Sequence, residues 1–96
     1  MPSTDKYLYP STDIAARVLG DETIIMSTID STIFVLNPTG TVIWKAADGK
    51  TPLSRIITEK LCVEFDVPFE QAYADAEEFV SEMAAHGVLL LSDSPM

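Results

Sequence analysis

The sequence is short of the residues on which most catalytic and metal sites depend. Its 96 residues include one cysteine, Cys62, and one histidine, His86. A single cysteine excludes an internal disulfide and a zinc site built from several cysteines. Neither a glycine-rich loop nor a calcium-binding loop occurs in the chain. The residues therefore support no enzyme hypothesis, and we predict neither a cofactor nor a metal site.

Basic residues are also few. Six Lys and Arg stand against 15 Asp and Glu, which gives a formal net charge of -9. All six basic residues precede Cys62, whereas acidic residues continue to the end of the chain. Proteins that bind nucleic acid neutralise its phosphates with Lys and Arg. This distribution argues against a nucleic-acid partner and favours a partner with a basic patch.

Long apolar runs are missing as well. No stretch approaches the roughly 18 apolar residues of a membrane span. The first 13 residues lack the charged and then apolar segments of a signal peptide. Hydrophobic residues nevertheless make up 47% of the chain, which is enough for one packed domain. We therefore predict a soluble, cytoplasmic protein with no membrane partner.

The stretch from Ser31 to Gly49 organises the chain, because in it a strand leads directly into a helix. Thr32 to Leu36 are mostly β-branched, aromatic or aliphatic residues, which favour a strand. Asn37 can cap a helix, and Pro38 fits its first position. Asp48-Gly49 is a helix stop signal. Strands are predicted before this stretch and helices after it.

The predicted fold is α+β, winged helix-turn-helix-like, with a three-stranded antiparallel sheet followed by three helices. Turn signals separate strands at Ile14–Leu19, Thr23–Ser27 and Thr32–Leu36, and prolines open helices near Pro38, Pro52 and Pro68. Val88 to Leu91 is predicted to form a last short strand or a tail on the core. Residues 1–13 are predicted to be a flexible segment, residues 14–91 one domain, and residues 92–96 a frayed tail.

The third predicted strand is apolar on both faces. Thr32, Phe34 and Leu36 share one face, and Ile33 and Val35 share the other. A sheet with one face in water normally alternates apolar and polar residues. Either both faces are covered or one is a docking surface, and an open strand edge can capture an extended peptide. The pattern alone favours an edge that a helix or the tail covers.

The order of these features resembles the PqqD family, the pyrroloquinoline quinone biosynthesis protein D and related recognition domains for ribosomally made, modified peptides. The residues that carry the resemblance, in matching order and spacing, are Phe34-Val35-Leu36-Asn37, Thr39-Gly40, Ile43-Trp44, Asp48-Gly49, Thr51, Ile56, Leu61, Asp66-Val67, Ala76, Phe79-Val80, Met83 and His86-Gly87-Val88-Leu89. It covers residues 14 to 90. Val67 departs from the family, which often has a polar helix cap there.

The resemblance implies a peptide chaperone that does no chemistry. It implies that the leader of a precursor peptide adds as a strand between the third strand and the third helix. The implied peptide-binding residues are Ser31, Thr32, Ile33, Phe34, Val35 and Leu36 on the strand, with Ala72, Tyr73, Ala76, Glu77, Phe79, Val80 and Met83 on the helix. The implied partners are the precursor peptide and a modifying enzyme, often a radical S-adenosylmethionine enzyme.

Two other functions remain open. The helix-turn-helix pattern is compatible with a winged-helix transcriptional regulator, although the acidic charge opposes one. A protein-interaction domain that binds only the enzyme is the other. An open strand edge is also compatible with a homodimer.

Overall fold

The structure, a computed structural model, describes residues 6–93 and has the predicted α+β architecture. Its elements in order are β1 (Tyr7–Pro10), β2 (Ile14–Leu19), β3 (Glu22–Ser27), β4 (Ile33–Leu36), α1 (Pro38–Ala46), α2 (Leu53–Ile56), α3 (Cys62–Phe65), α4 (Phe69–Ala85) and β5 (Leu89–Ser92). A π-helical stretch, Ile57–Leu61, joins α2 to α3. Residues 53–65 therefore make up the predicted second helix, and α4 is the predicted third.

The predicted meander is confirmed as an antiparallel sheet in the order β2-β3-β4. Ile25 at its centre pairs with Ala16 on β2 and with Phe34 on β4. Burial alternates along β3, where Ile25 is fully buried while Ile24 and Met26 are exposed. One face of the sheet therefore packs on the core, and the other is open.

A second, two-stranded sheet pairs β1 with β5 in antiparallel register. Leu8 in β1 is fully buried, and its carbonyl accepts a 2.6 Å hydrogen bond from the Gly49 N–H. Part of the segment predicted to be flexible therefore packs into the fold, because Leu8 joins the core. The predicted tail likewise begins inside β5, at Ser92. The rest of these two predictions, over residues 1–5 and 94–96, lies outside the described residues.

The three prolines act at helix starts, although not all at the same position. Asn37 caps α1 as predicted: its Oδ1 accepts a 2.8 Å hydrogen bond from the Gly40 N–H, and Pro38 follows at the first helical position. Pro52 and Pro68 are themselves the N-caps of α2 and α4, with extended backbone and no side-chain cap. These two helices therefore begin one residue later than their sequence signals indicate.

The core lies between the inner face of the three-stranded sheet and the helices. Ile25 and Leu36 from the sheet belong to the same buried cluster as Ile43 from α1, Ile57 from the π-helical stretch and Ala76 from α4. A buried 2.9 Å hydrogen bond between the hydroxyls of Thr23 and Thr41 joins β3 to α1. Within residues 6–93 no helix is of the length and apolarity that crossing a membrane requires. The packing of α1 and α4 against the sheet places α4 beside β4.

Candidate functional site

The outer edge of β4 has no strand beside it among residues 6–93. The Ser27 N–H donates to the Thr32 carbonyl at 2.9 Å, so this pair is a hydrogen-bonded pair of the β3–β4 ladder. Such pairs alternate in an antiparallel ladder, which makes Phe34 the next residue bonded to β3. The N–H and C=O groups of Ile33 and Val35 therefore point to the open edge. Ile33 and Val35 are 62% and 65% exposed, so the edge left unpaired within residues 6–93 is also apolar.

A groove of about 370 Å³ separates this edge from α4. It is lined by Ile33, Phe34, Val35, Leu36 and Asn37 from the strand side and by Phe79, Glu82 and Met83 from the helix. The strand and the helix run in opposite directions, because Phe34 contacts His86 at 5.0 Å between ring centroids, while Gly40 lies against Phe79. An extended chain laid along β4 would therefore contact α4 along several of its turns.

A smaller cavity of about 200 Å³ continues the groove toward the start of α1. It shares Asn37 and Phe79 with the groove, and its other lining residues are Thr39, Gly40, Ile43 and Asp75. The two together make one depression along α4, with Phe79 at its centre. We call this combined depression the β4–α4 groove.

The structure brings together six of the predicted site residues and separates the others from them. The six that line the groove are Ile33, Phe34, Val35, Leu36, Phe79 and Met83. Ser31 and Thr32 precede β4 and are exposed, and Ala72, Ala76 and Val80 are buried core residues of α4. Tyr73 packs on Phe69 at 5.6 Å, and both Tyr73 and Glu77 are on the flank of α4 away from the groove.

Six residues of the groove were not among the predicted site residues, namely Asn37, Thr39, Gly40, Ile43, Asp75 and Glu82. Asn37, Thr39, Gly40 and Ile43 are among the residues that carry the resemblance, but it implies no peptide contact for them. Asp75 and Glu82 have no predicted role. The spacing of the two acids could have indicated them. Asp75 is four residues before Phe79 and Glu82 is three residues after it, so all three lie on the same side of a helix.

The turn that leads into β4 is fixed by Asp30. Its Oδ1 accepts a 3.0 Å hydrogen bond from the Thr32 N–H. Hydrogen bonds from Thr32 hold the pKa of the Asp30 carboxyl below its usual value, because they stabilise the charged form. Ser31, between them, has a left-handed backbone with φ of 61°. The Asp30 carboxylate therefore stabilises the turn at the start of the β4 edge.

A larger cavity, about 620 Å³, lies elsewhere, between α1 and the helical segment 53–65. Its lining residues are Val42, Lys45, Ala46, Glu59, Lys60, Val63 and Glu64. It is an open depression with charged residues of both signs and no free backbone edge. We favour the smaller β4–α4 groove because there an unpaired strand and apolar side chains coincide.

Groups suited to catalysis do not gather at the groove. His86 meets it only through the ring contact with Phe34, and Cys62 is half-buried on the helical segment 53–65. Across residues 6–93, no three His, Cys, Asp or Glu side chains are placed to hold a metal ion. What the groove offers chemically is backbone hydrogen bonding, apolar contact and negative charge.

Comparison with known proteins agrees with this architecture. The sequence profile of the family described as "Coenzyme PQQ synthesis protein D (PqqD)" matches residues 22–89, more than half of the chain. A solved structure described as "TbiB1 in Complex with the TbiA(beta) Leader Peptide" has a similar fold, with a TM-score of 0.73 and 23% identity over 83% of this chain and 92% of that one. None of the curated proteins matches the chain. On the extent of the profile match, this chain belongs to the PqqD family.

Proposed function

We propose that this protein is a non-catalytic peptide chaperone. It binds the leader of a ribosomally made precursor peptide as an added strand on β4. It then presents that peptide to a modifying enzyme, in pyrroloquinoline quinone biosynthesis or in a related modified-peptide pathway. The observation that carries the proposal is the unpaired, apolar edge of β4 facing α4 across a groove.

The chemistry of the groove suits an extended peptide. Ile33 and Val35 direct their backbone groups outward, so a peptide strand can complete the ladder with main-chain hydrogen bonds. Phe34 and Phe79, both half-buried, offer apolar surface to the alternate side chains of such a strand. Backbone bonds would thus supply affinity, while the groove would select side chains.

Family membership and fold similarity support the same interpretation. TbiB1, which shares the fold, was solved in complex with a leader peptide. A carrier of this kind needs no catalytic residues. Tethering the leader raises the local concentration of the rest of the peptide at the active site of the enzyme.

The direct test is an NMR titration of the labelled protein with the short precursor peptide encoded beside its gene. We expect the largest shifts in the amides of residues 31–36 and along the groove side of α4. Shifts confined to the cavity between α1 and the helical segment 53–65 would contradict the proposed site. Binding of the neighbouring enzyme without any binding of the peptide would identify an interaction domain for the enzyme instead.

Proline substitutions test the strand edge itself. Ile33→Pro and Val35→Pro each remove an N–H that points outward and is not needed by β3, so the fold should survive. We expect each variant to weaken peptide binding by about fivefold or more, because a hydrogen bond of roughly 1 kcal/mol is lost and the ring crowds the added strand. Isothermal titration calorimetry measures this effect.

Ala16→Pro is the matched control for these two variants. The same alternation directs the Ala16 N–H to the outer edge of β2, on the far side of the sheet. This variant should bind the peptide as the wild type does. Unchanged affinity in both β4 variants, with circular dichroism showing an intact fold, would exclude strand addition at β4.

A further inference from the structure

The acidic residues of the β4–α4 groove lie on one line along α4. Asp75, Phe79 and Glu82 follow one another at spacings of four and three residues, which places them on the same side of the helix. With a rise of about 1.5 Å per residue, the two acids are roughly 10 Å apart along the axis, with the aromatic ring between them. The groove therefore presents an acid, an aromatic ring and an acid in series.

Neither carboxylate forms an ion pair with any residue between 6 and 93. The ion pairs found among residues 6–93 are Lys6–Asp93 and Arg55–Glu59, both away from the groove. None of the basic side chains in the described part of the chain lines the groove, and Lys45 and Lys60 line the larger cavity instead. The other titratable side chain at this site is His86, at the end where it meets Phe34.

A strand added to β4 would place alternate side chains in this groove. Alternate residues of a strand are about 6.7 Å apart, so positions i and i+4 are roughly 13 Å apart. Long, flexible basic side chains at those two positions can reach inward to acids about 10 Å apart. Position i+2 would then contact Phe79 and Phe34.

We propose that the captured segment carries a basic residue, a large apolar residue and a second basic residue at alternate positions. This inference rests on the proposed function and specifies the class of peptide that the site selects. Opposite charges across a groove favour such a peptide and disfavour an acidic one. The intervening residues would face the exposed side chains of Ile33 and Val35 and are best apolar or β-branched.

Three synthetic peptides with blocked ends provide the probes. The first is Ser-Lys-Thr-Leu-Thr-Lys-Ser, the second replaces both lysines by glutamates, and the third replaces the leucine by serine. NMR titration at low salt should show the first peptide shifting the amides of Ile33 and Val35. We expect the first peptide to bind about tenfold or more tightly than either of the others. The second peptide loses both charge contacts, and the third loses the central apolar contact.

Variants of α4 then assign the charge effect to the groove. Glu82→Gln should weaken binding of the lysine peptide about threefold at low salt and little in 1 M salt, where screening is strong. Glu77→Gln makes the same change in net charge on the opposite flank of the helix and should leave affinity unchanged. Glu82→Lys should remove most of the preference for the lysine peptide over the glutamate peptide, because a lysine then stands opposite the remaining carboxylate of Asp75.

The outcomes separate the two proposals. Equal affinity for the lysine and glutamate peptides, with shifts at Ile33 and Val35, would overturn the charge inference and leave strand addition standing. Equal effects of Glu82→Gln and Glu77→Gln would show long-range attraction rather than recognition in the groove, and would also overturn it. A failure of all three peptides and of the precursor peptide to shift these amides would overturn both.

Discussion

Two aspartates fix turns in this protein through their carboxylates. Before β4, Asp30 accepts a 3.0 Å hydrogen bond from the Thr32 N–H. After α1, Asp48 accepts hydrogen bonds from the N–H groups of Lys50 and Thr51, both at 2.9 Å. The sequence indicated Asp48-Gly49 only as the end of a helix. The structure shows that the carboxylate also orders the chain that follows, up to the start of α2 at Leu53.

The Asp48 hydrogen bonds predict a pH-dependent contribution to stability. Backbone hydrogen bonds from Lys50 and then Thr51 lower the pKa of the Asp48 carboxyl below 3.8. A carboxyl whose pKa is lower in the folded than in the unfolded protein stabilises the fold at pH values above its unfolded-state pKa. This stabilisation is lost as the pH falls through the folded-state pKa. We therefore expect Asp48→Asn to destabilise the protein at pH 7 and much less at pH 3.

Urea denaturation of both proteins at the two pH values measures this effect. Asp21→Asn is the control, because it makes the same change of side chain in another turn. Within residues 6–93, the Asp21 carboxylate accepts no hydrogen bond from a following N–H. An equal destabilisation by Asp48→Asn at pH 7 and pH 3 would show that ionisation of this carboxyl does not contribute.

At the scale of whole elements, local signals predicted most of the fold. Asn37-Pro38 fixed the start of α1 because a cap and a proline act within one turn. Gly87 fixed the end of α4 for a similar reason: with φ of 72° it lets the N–H of Val88 bond to the carbonyl of Met83 at 2.9 Å. Interactions between neighbours in the chain can be inferred without knowing the tertiary structure.

Contacts between distant segments could not be predicted in this way. Nothing near Leu8 in sequence indicates that it pairs with β5, more than 80 residues later. The lining of the groove could not be predicted for the same reason. Helical spacing groups Asp75 with Phe79, but only the packing angle of α4 decides which side of the helix faces β4. The resemblance implies that Tyr73 and Glu77 contact the peptide, whereas both lie on the flank of α4 away from the groove.

The contact of α1 with α4 predicts that Gly40 controls the shape of the groove. A Cβ at Gly40 would lie 3.1 Å from Cε1 of Phe79 and 3.3 Å from Cβ of Leu36. In Gly40→Ala the ring of Phe79 must shift by a few tenths of an ångström, while alanine gains up to about 1 kcal/mol of helix propensity. We expect a change in unfolding free energy within about 1 kcal/mol, and a several-fold loss of peptide affinity.

Denaturation and calorimetric titration together test this expectation. Ser81→Ala is the control, because it also adds helix propensity but at an exposed position of α4, two residues from Phe79 and therefore on another side of the helix. Wild-type affinity in Gly40→Ala would mean that the position of the Phe79 ring does not affect peptide binding.

At the scale of the whole molecule, the small sheet joins both ends of the described chain to one core. Leu8 in β1 and Leu89 in β5 are both buried in the cluster that also contains Ile25 and Ala76. Lys6 and Asp93, beyond the two strands, form an ion pair. The β1–β5 pair is a separate sheet, and none of its residues lines the groove, so it stabilises the fold without filling the groove.

This arrangement predicts that Leu8→Ala destabilises the entire domain rather than a loose end. Leu8 is fully buried, so its truncation should leave a cavity and cost about 2–5 kcal/mol of unfolding free energy. Leu90→Ala is the control in the same sheet: Leu90 is 39% exposed, and we expect a loss of about 1 kcal/mol or less. Urea denaturation followed by tryptophan fluorescence reports the core near Trp44. If Leu8→Ala lowers the unfolding free energy no more than Leu90→Ala does, β1 lies outside the cooperatively folding unit. A single transition shifted to lower urea concentration would place β1 inside that unit. A domain that began at residue 14 would then lack part of its core.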